Sequence, residues 1–171
     1  MKTSDDSLLA MPALRHLTDT TKAAVSRFSM RKHFKKNEII FRENDSANRF
    51  YIIENGNVDL GYFGSGNDHH METLGAGDVL GYSWMIEPYR WQSDAKATSD
   101  VDAIFIYATP LRAFCEEHPQ IGWELMTWCA AILTKRLQHR QFGFVPGRNC
   151  CEAVCSKDPW PWTEPELVSL P

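Results

Sequence analysis

Leu74-Gly75-Ala76-Gly77-Asp78-Val79-Leu80-Gly81, followed a short way on by Ala95-Lys96-Ala97, decides the reading of this chain. Glycine enters left-handed backbone without steric cost. Gly75, Gly77 and Gly81 among apolar residues therefore mark tight turns between short strands rather than a helix. The segments around them agree. Ile39-Ile40-Phe41 is β-rich and lies between two turns, Lys35-Lys36-Asn37-Glu38 and Glu43-Asn44-Asp45-Ser46. Asn37 and Asn44 stand where left-handed backbone is useful, and asparagine tolerates it better than most residues. Phe50-Tyr51-Ile52-Ile53 reads as a strand, Asn55-Gly56 as a type I′ hairpin, and Val58, Leu60 and Tyr62 continue with period two. A polar loop, Gly64-Ser65-Gly66-Asn67-Asp68, precedes the short strand Met71-Glu72-Thr73-Leu74, and Ala95 to Tyr107 returns as strand. Many short strands with a turn signal every 8–12 residues or so predict a sandwich or small barrel.

Helices flank this β region. Leu14 to Met30 reads as a short helix capped by Thr18 or Asp19, with Ala23, Ala24, Val25 and Phe28 on its apolar side. Thr109-Pro110 is a cap followed by proline at the first helical position, opening a short helix from Leu111 to Glu117. Pro119 starts a longer helix running to about Gln141. Ile121, Leu125, Trp128 and Ile132 share one face of it, and Met126, Cys129, Leu133 and Leu137 an adjacent one. This apolar stripe is wider than one surface-helix face requires. Either both faces pack into the monomer core, or one meets the barrel and the other a symmetry mate. The expectation taken forward is a homodimer through Ile121–Gln141. From Phe142 onward prolines and glycines break the pattern, and about thirty such residues are too few for a second domain. The domain expected is therefore 14–141, with the barrel at about 31–108 and helices at about 109–141, followed by a tail over 142–171 that holds Trp160-Pro161-Trp162.

Composition bounds the function. The chain has 171 residues, 43% of them apolar and 23% charged, with a net charge of −4. This is a soluble globular composition without the basic bias of a duplex-DNA reader. Met1 to Ala10 has no apolar core of a secretory signal, and no apolar run approaches the ~20 residues needed to span a bilayer. The expected location is cytoplasmic. There the five cysteines, Cys115, Cys129, Cys150, Cys151 and Cys155, are expected as reduced thiols. Cys150, Cys151 and Cys155 lack a paired C-x-x-C spacing and a nearby histidine, so no metal is assigned to them.

Three runs together, Glu38-Ile39-Ile40-Phe41-Arg42-Glu43-Asn44-Asp45, Phe50-Tyr51-Ile52-Ile53-Glu54-Asn55-Gly56-Asn57-Val58 and Leu74 to Gly81, resemble the cyclic-nucleotide-binding domain. This is the effector domain of the catabolite activator and fumarate–nitrate regulator group, of kinase regulatory subunits and of ion channels. The resemblance covers roughly residues 14–141. It implies a mainly β fold with flanking α: a double-stranded β-helix (jelly-roll) barrel, then a short and a long C-terminal helix. In that family a phosphate-binding cassette lies between two barrel strands and reads Gly-Glu, a short helix, then Arg-[Ser/Ala/Thr]-Ala. The glycine and the N–H groups of the short helix hold the phosphate, the glutamate takes the ribose hydroxyl, and the arginine pairs with the phosphate charge.

Carried onto this sequence, Gly81 keeps the glycine, Tyr82 stands at the glutamate, and Ser83, Trp84 and Met85 begin the short helix. The arginine position falls on Trp91 or Gln92. Hydrogen bonds to charged groups contribute roughly 1.5–3 kcal/mol each. Losing two costs ~3–6 kcal/mol, or about 10²–10⁴ in affinity. Arg90 stands beside the missing arginine and is a candidate to replace part of it. The candidate ligand-binding residues are Leu80, Gly81, Tyr82, Ser83, Trp84, Arg90, Trp91, Gln92 and Ser93. Gly81-Tyr82-Ser83-Trp84 and Pro88-Tyr89-Arg90-Trp91 also resemble a divergent bacterial subgroup of single effector domains. Arg140 and Gln141 match positions that reach a nucleotide base in the transcriptional members, although a solvated helix end is the favoured reading.

The expected function is a non-enzymatic small-molecule sensor or regulatory module in signal transduction. Its ligand is a weakly bound cyclic AMP or GMP or another small phosphate-bearing molecule. The alternative is a structural or protein-interaction domain with a plugged pocket. Output passes to an unidentified protein partner, since no helix-turn-helix pattern follows the long helix. Lys32, Lys35 and Lys36 read as a solvated turn. A cupin metal site is unsupported, because His69 and His70 are adjacent and point to opposite strand faces. No Gly-x-Ser-x-Gly elbow, P-loop or Rossmann glycine pattern occurs.

Overall fold

The computed structural model describes residues 11–64 and 68–142, with side chains as far as residue 138. The expectations for Met1 to Ala10, for Ser65 to Asn67 and for the tail with Cys150, Cys151, Cys155 and Trp160-Pro161-Trp162 lie outside the described residues. So do those for the Arg140 and Gln141 side chains. Contacts divide the chain into two units at Ala130/Ala131. The first holds everything described below except the second half of the last helix.

Pro12–Leu14 forms one 3₁₀ turn, and helix α1 spans Asp19–Ser26. Eight strands follow: β1 Ser29–Phe34, β2 Ile39–Phe41, β3 Arg49–Asn55, β4 Val58–Tyr62, β5 His69–Leu74, β6 Val79–Leu80, β7 Asp94–Ala97 and β8 Val101–Tyr107. A 3₁₀ helix, Tyr82–Met85, interrupts the barrel between β6 and β7. Helices α2, Ala108–Glu117, and α3, Pro119–Phe142, complete the order. The strands form two antiparallel sheets, β1-β8-β3-β6 and β2-β7-β4-β5. A mainly β jelly roll with flanking helices is therefore the observed fold.

Four local expectations need correction. The first helix is shorter than Leu14 to Met30, because Ser29 and Met30 already pair with Ile106 and Phe105 in the first sheet. Thr18 does cap it, its Oγ1 accepting from Thr21 N at 3.3 Å. Asn55-Gly56 is not a type I′ hairpin. Positive φ occurs at Gly56 (+88°) but not at Asn55, and β3 and β4 lie in different sheets. The turn carries the chain from one sheet to the other, and a Cβ on Gly56 would sit 2.2 Å from the Asp100 carbonyl oxygen. Ala95 to Tyr107 is two strands, one in each sheet, and α2 begins at Ala108, which places Thr109 and Pro110 inside its first turn. Asn37 and Asn44 adopt the anticipated left-handed backbone, at φ 71° and 64°.

The central strands of the first sheet, β3 and β8, are buried on both faces, while β1 at its edge is mostly exposed. Tyr51, Ile53, Val101, Ala103 and Phe105 point into the barrel, where they meet Phe41, Val58, Leu74, Ala95 and Ala97 of the second sheet. The alternate residues Phe50, Ile52, Ile104 and Ile106 are also fully buried. They form the other face, where Phe50 packs against Trp128 of α3, ring centroids 6.4 Å apart. Helix α3 is fastened to α1 by a carboxylate. Glu124 accepts from Thr18 N, Thr18 Oγ1 and Thr21 Oγ1, and so satisfies an N-terminal amide of α1. Trp128 Nε1 donates to Ala13 O at 2.7 Å.

One buried carboxylate ties the second sheet together. Asp94 accepts from Glu43 N (2.8 Å), Phe63 N (2.8 Å) and Arg42 Nη1 (3.1 Å). Burial works to raise its pKa, but the two amides and the Arg42 guanidinium outweigh burial and hold the carboxyl below its ordinary value. Its stabilising contribution is complete above the unfolded-state value of about 3.9 and is lost as pH falls through the lower folded-state value. Asp94→Asn is expected to lower the unfolding free energy by about 2–3 kcal/mol near neutral pH. It should also flatten the acid limb of stability against pH below about pH 4, both read by urea titration across a pH series.

Candidate functional site

The cassette leaves the barrel at Gly81, whose backbone is left-handed at φ +90°, ψ 64°. Leu80 before it is buried in the barrel core. The short helix spans Tyr82–Met85, starting one residue before the expected Ser83, with Tyr82 and Ser83 half-buried. The chain then turns through a cis Glu87–Pro88 bond and a left-handed Tyr89 (φ 55°). Its return limb is held to the turn between β2 and β3. Ala47 N donates to Tyr89 O at 2.7 Å, Trp91 N to Asp45 O at 3.0 Å, and Asn44 N to Trp91 O at 2.9 Å.

The two tryptophans fall on opposite sides of the first sheet. Trp91 belongs to the barrel core, 3% exposed, and stacks on Phe41 with centroids 4.0 Å apart and planes 10° apart. Its ring lies against Gly81: a Cβ there would meet Trp91 Cζ3 at 2.5 Å and Cη2 at 2.7 Å. Trp84 is equally buried but stacks on Phe50, centroids 5.0 Å apart, on the helix side. Its Nε1 is buried with no hydrogen-bond acceptor among the described residues.

The polar candidates face elsewhere. Arg90 is exposed, and its Nη1 donates to Asn44 O at 2.7 Å, so its side chain braces the neighbouring turn. Gln92 is exposed, its Nε2 donating to Arg90 O at 3.1 Å while its main-chain carbonyl accepts from Tyr62 OH at 3.3 Å. Ser93 is half-buried. The structure thus gathers Leu80, Gly81 and Trp91 on the barrel side, and Arg90 and Gln92 on the outer surface. Two charged residues missed in the sequence support this region. Asp94 fixes the start of β7, and Arg112 of α2 reaches the cassette. Asp94 is the lone acid in the strand Asp94-Ala95-Lys96-Ala97, which is a usable signal; Arg112 has no local signal at all.

At the point where the chain leaves the barrel, the buried Trp91 ring is thus enclosed between Phe41 and the Gly81 backbone. The cyclic nucleotide-binding domain model matches residues 31–118, and the chain belongs to that family. Among curated relatives, lysophospholipase NTE1 of Yarrowia lipolytica is 26% identical over 143 residues, 81% of this chain but 9% of that protein. The CRP-like cAMP-activated global transcriptional regulator of Mycobacterium tuberculosis is 25% identical over 134 residues, 74% of this chain and 58% of the regulator. A crystal structure from Geobacter metallireducens, described as cyclic nucleotide-binding, superposes with a TM-score of 0.71 at 29% identity. That alignment covers 79% of this chain and 98% of that one. Among the described residues no helix is long and apolar enough to cross a membrane.

Gly81→Ala is expected to cost about 2–4 kcal/mol, from left-handed strain together with collision against Trp91. In a Trp91→Ala background the same change is expected to cost only the backbone part, about 1–2 kcal/mol. Chemical denaturation of the two single variants and the double variant reads this non-additivity.

Proposed function

We propose that this domain is a non-enzymatic cytoplasmic regulatory module whose cassette is closed by Trp91, so that cyclic AMP and cyclic GMP bind weakly or give way to another ligand. The observation that carries this is the Trp91 ring seated against the backbone of Gly81 and stacked on Phe41. A phosphate approaching Gly81 competes with a buried aromatic pair worth about 0.5–1.5 kcal/mol beyond its burial. No arginine from the cassette compensates, since Arg90 braces the Asn44 carbonyl. The Mycobacterium tuberculosis relative is cAMP-activated by name, and cyclic nucleotides are therefore the first ligands to test. The same enclosure of Trp91 supports a second reading, a closed domain that acts through protein contact alone.

The module is further proposed to dimerise through Ile121–Gln141. Leu125, Trp128 and Cys129 are buried on the inner face of α3. Trp123 (77% exposed), Met126, Ala130, Leu133 and Leu137 (57% exposed) recur at alternating spacings of three and four along the same helix. That spacing is the seam of a two-helix coil.

Calorimetric titration with cyclic AMP and cyclic GMP is expected to give millimolar dissociation constants or no heat for the natural chain. Trp91→Arg, which removes the ring and returns a guanidinium, is expected to tighten binding by about 10–100-fold. Micromolar binding by the natural chain would refute the closed-cassette reading. A folded Trp91→Arg variant that ignores every nucleotide would favour the protein-contact reading. Separately, Leu133→Glu is expected to halve the mass measured by sedimentation equilibrium while leaving the barrel folded. An unchanged mass removes the α3 seam.

A further inference from the structure

Trp84 and Tyr89, at the two ends of the cassette's outer loop, share a partner that lies outside it. Arg112 sits in the second turn of α2. Its Nη1 donates to the Trp84 carbonyl at 2.6 Å, and its guanidinium carbon lies 4.1 Å from the centroid of the Tyr89 ring. Its Nη2 reaches Thr109 Oγ1 at 3.4 Å, one turn back on the same helix. The left-handed backbone of Tyr89 is uncommon for an aromatic residue and marks a conformation that its surroundings hold in place. A guanidinium can donate in its plane and stack on a ring face at once, which an ammonium cannot do.

What lies on either side of this contact gives it a direction. The Tyr89 carbonyl is tied to Ala47, and two residues on is Trp91, the ring against Gly81. Any exit of Trp91 therefore pulls on the limb that Arg112 grips. Beside the grip is a hollow of about 180 Å³, lined by Trp84, Met85, Arg112, Cys115, Leu125 and Met126 among others, which leaves the turn room to shift. On the far side α2 runs straight into α3. A Cβ at Gly122 would stand 3.1 Å from the Cys115 Cβ, so the two helices meet closely at their corner.

We infer that Arg112 is a positioning residue that carries displacement of the cassette into helix α2. The inference rests on the regulatory reading above and names its transmitting contact. Hydrogen–deuterium exchange on the full chain tests it with no ligand present, so its failure is read separately from failure to bind nucleotide. Trp91→Ala is expected to speed exchange of the amides of residues 110–117 about threefold or more when Arg112 is present. In an Arg112→Lys background the same substitution is expected to leave those amides unchanged. Arg112→Lys alone should accelerate the amides of residues 82–90 by about tenfold while β3 and β8 keep their protection. Tyr89→Leu, which removes the ring and leaves the arginine, is expected to reproduce the Arg112→Lys pattern. Equal acceleration of α2 by Trp91→Ala with and without Arg112 overturns the inference. So does a uniform loss of protection across the barrel in Arg112→Lys, or a Tyr89→Leu variant that exchanges like the natural chain.

Discussion

The indole of Trp91 resting on the bare Cα of Gly81 is the contact around which the cassette is organised. It requires a residue without a side chain at position 81, because the ring occupies the volume a Cβ would need. It requires a left-handed backbone there, which glycine alone adopts freely. Phe41, which pairs with Ala95 of β7, lies stacked against the same ring. The lack of bulk at this glycine admits the hydrocarbon face of the indole.

The cassette is consequently a layer with two different sides. Trp91 faces the barrel, in company with Phe41 and Tyr51. Trp84 faces the helices, in company with Phe50 and, through Phe50, Trp128. Strand β3 alternates between these environments residue by residue, Phe50 outward and Tyr51 inward. The cassette therefore contacts both packed layers, closely on the barrel side and beside an open hollow on the helix side. The chain aligns with part of a transcriptional regulator and with a short segment of a much longer lysophospholipase.

The barrel was legible because its signals are local. Alternating apolar residues, asparagines at left-handed turns and glycines between strands each act within a few positions, and the order of elements followed from them. What failed was pairing. Asn55-Gly56 looks like a hairpin turn because a turn residue pair reports a reversal, not which sheet receives the next strand. Ala95 to Tyr107 looks like one strand because the bend at Thr98 to Asp100 has no glycine or proline. In the cassette, the altered residues could be named, but not the side of the sheet each would take. Trp84 and Trp91 are chemically identical in sequence and differ only in which aromatic receives them. Arg112 was invisible because a single arginine on a helix has many possible partners, and only the folded chain brings Tyr89 and the Trp84 carbonyl to it.

The inner face of α3 also holds Cys129, fully buried, its thiol pKa pushed far upward by burial. Protonated and screened, that sulfur is inert to alkylating reagents while the helix stays seated. Alkylation of Cys129 requires that sulfur to be uncovered, so the rate at which the thiol is labelled measures how firmly the inner face of α3 is seated.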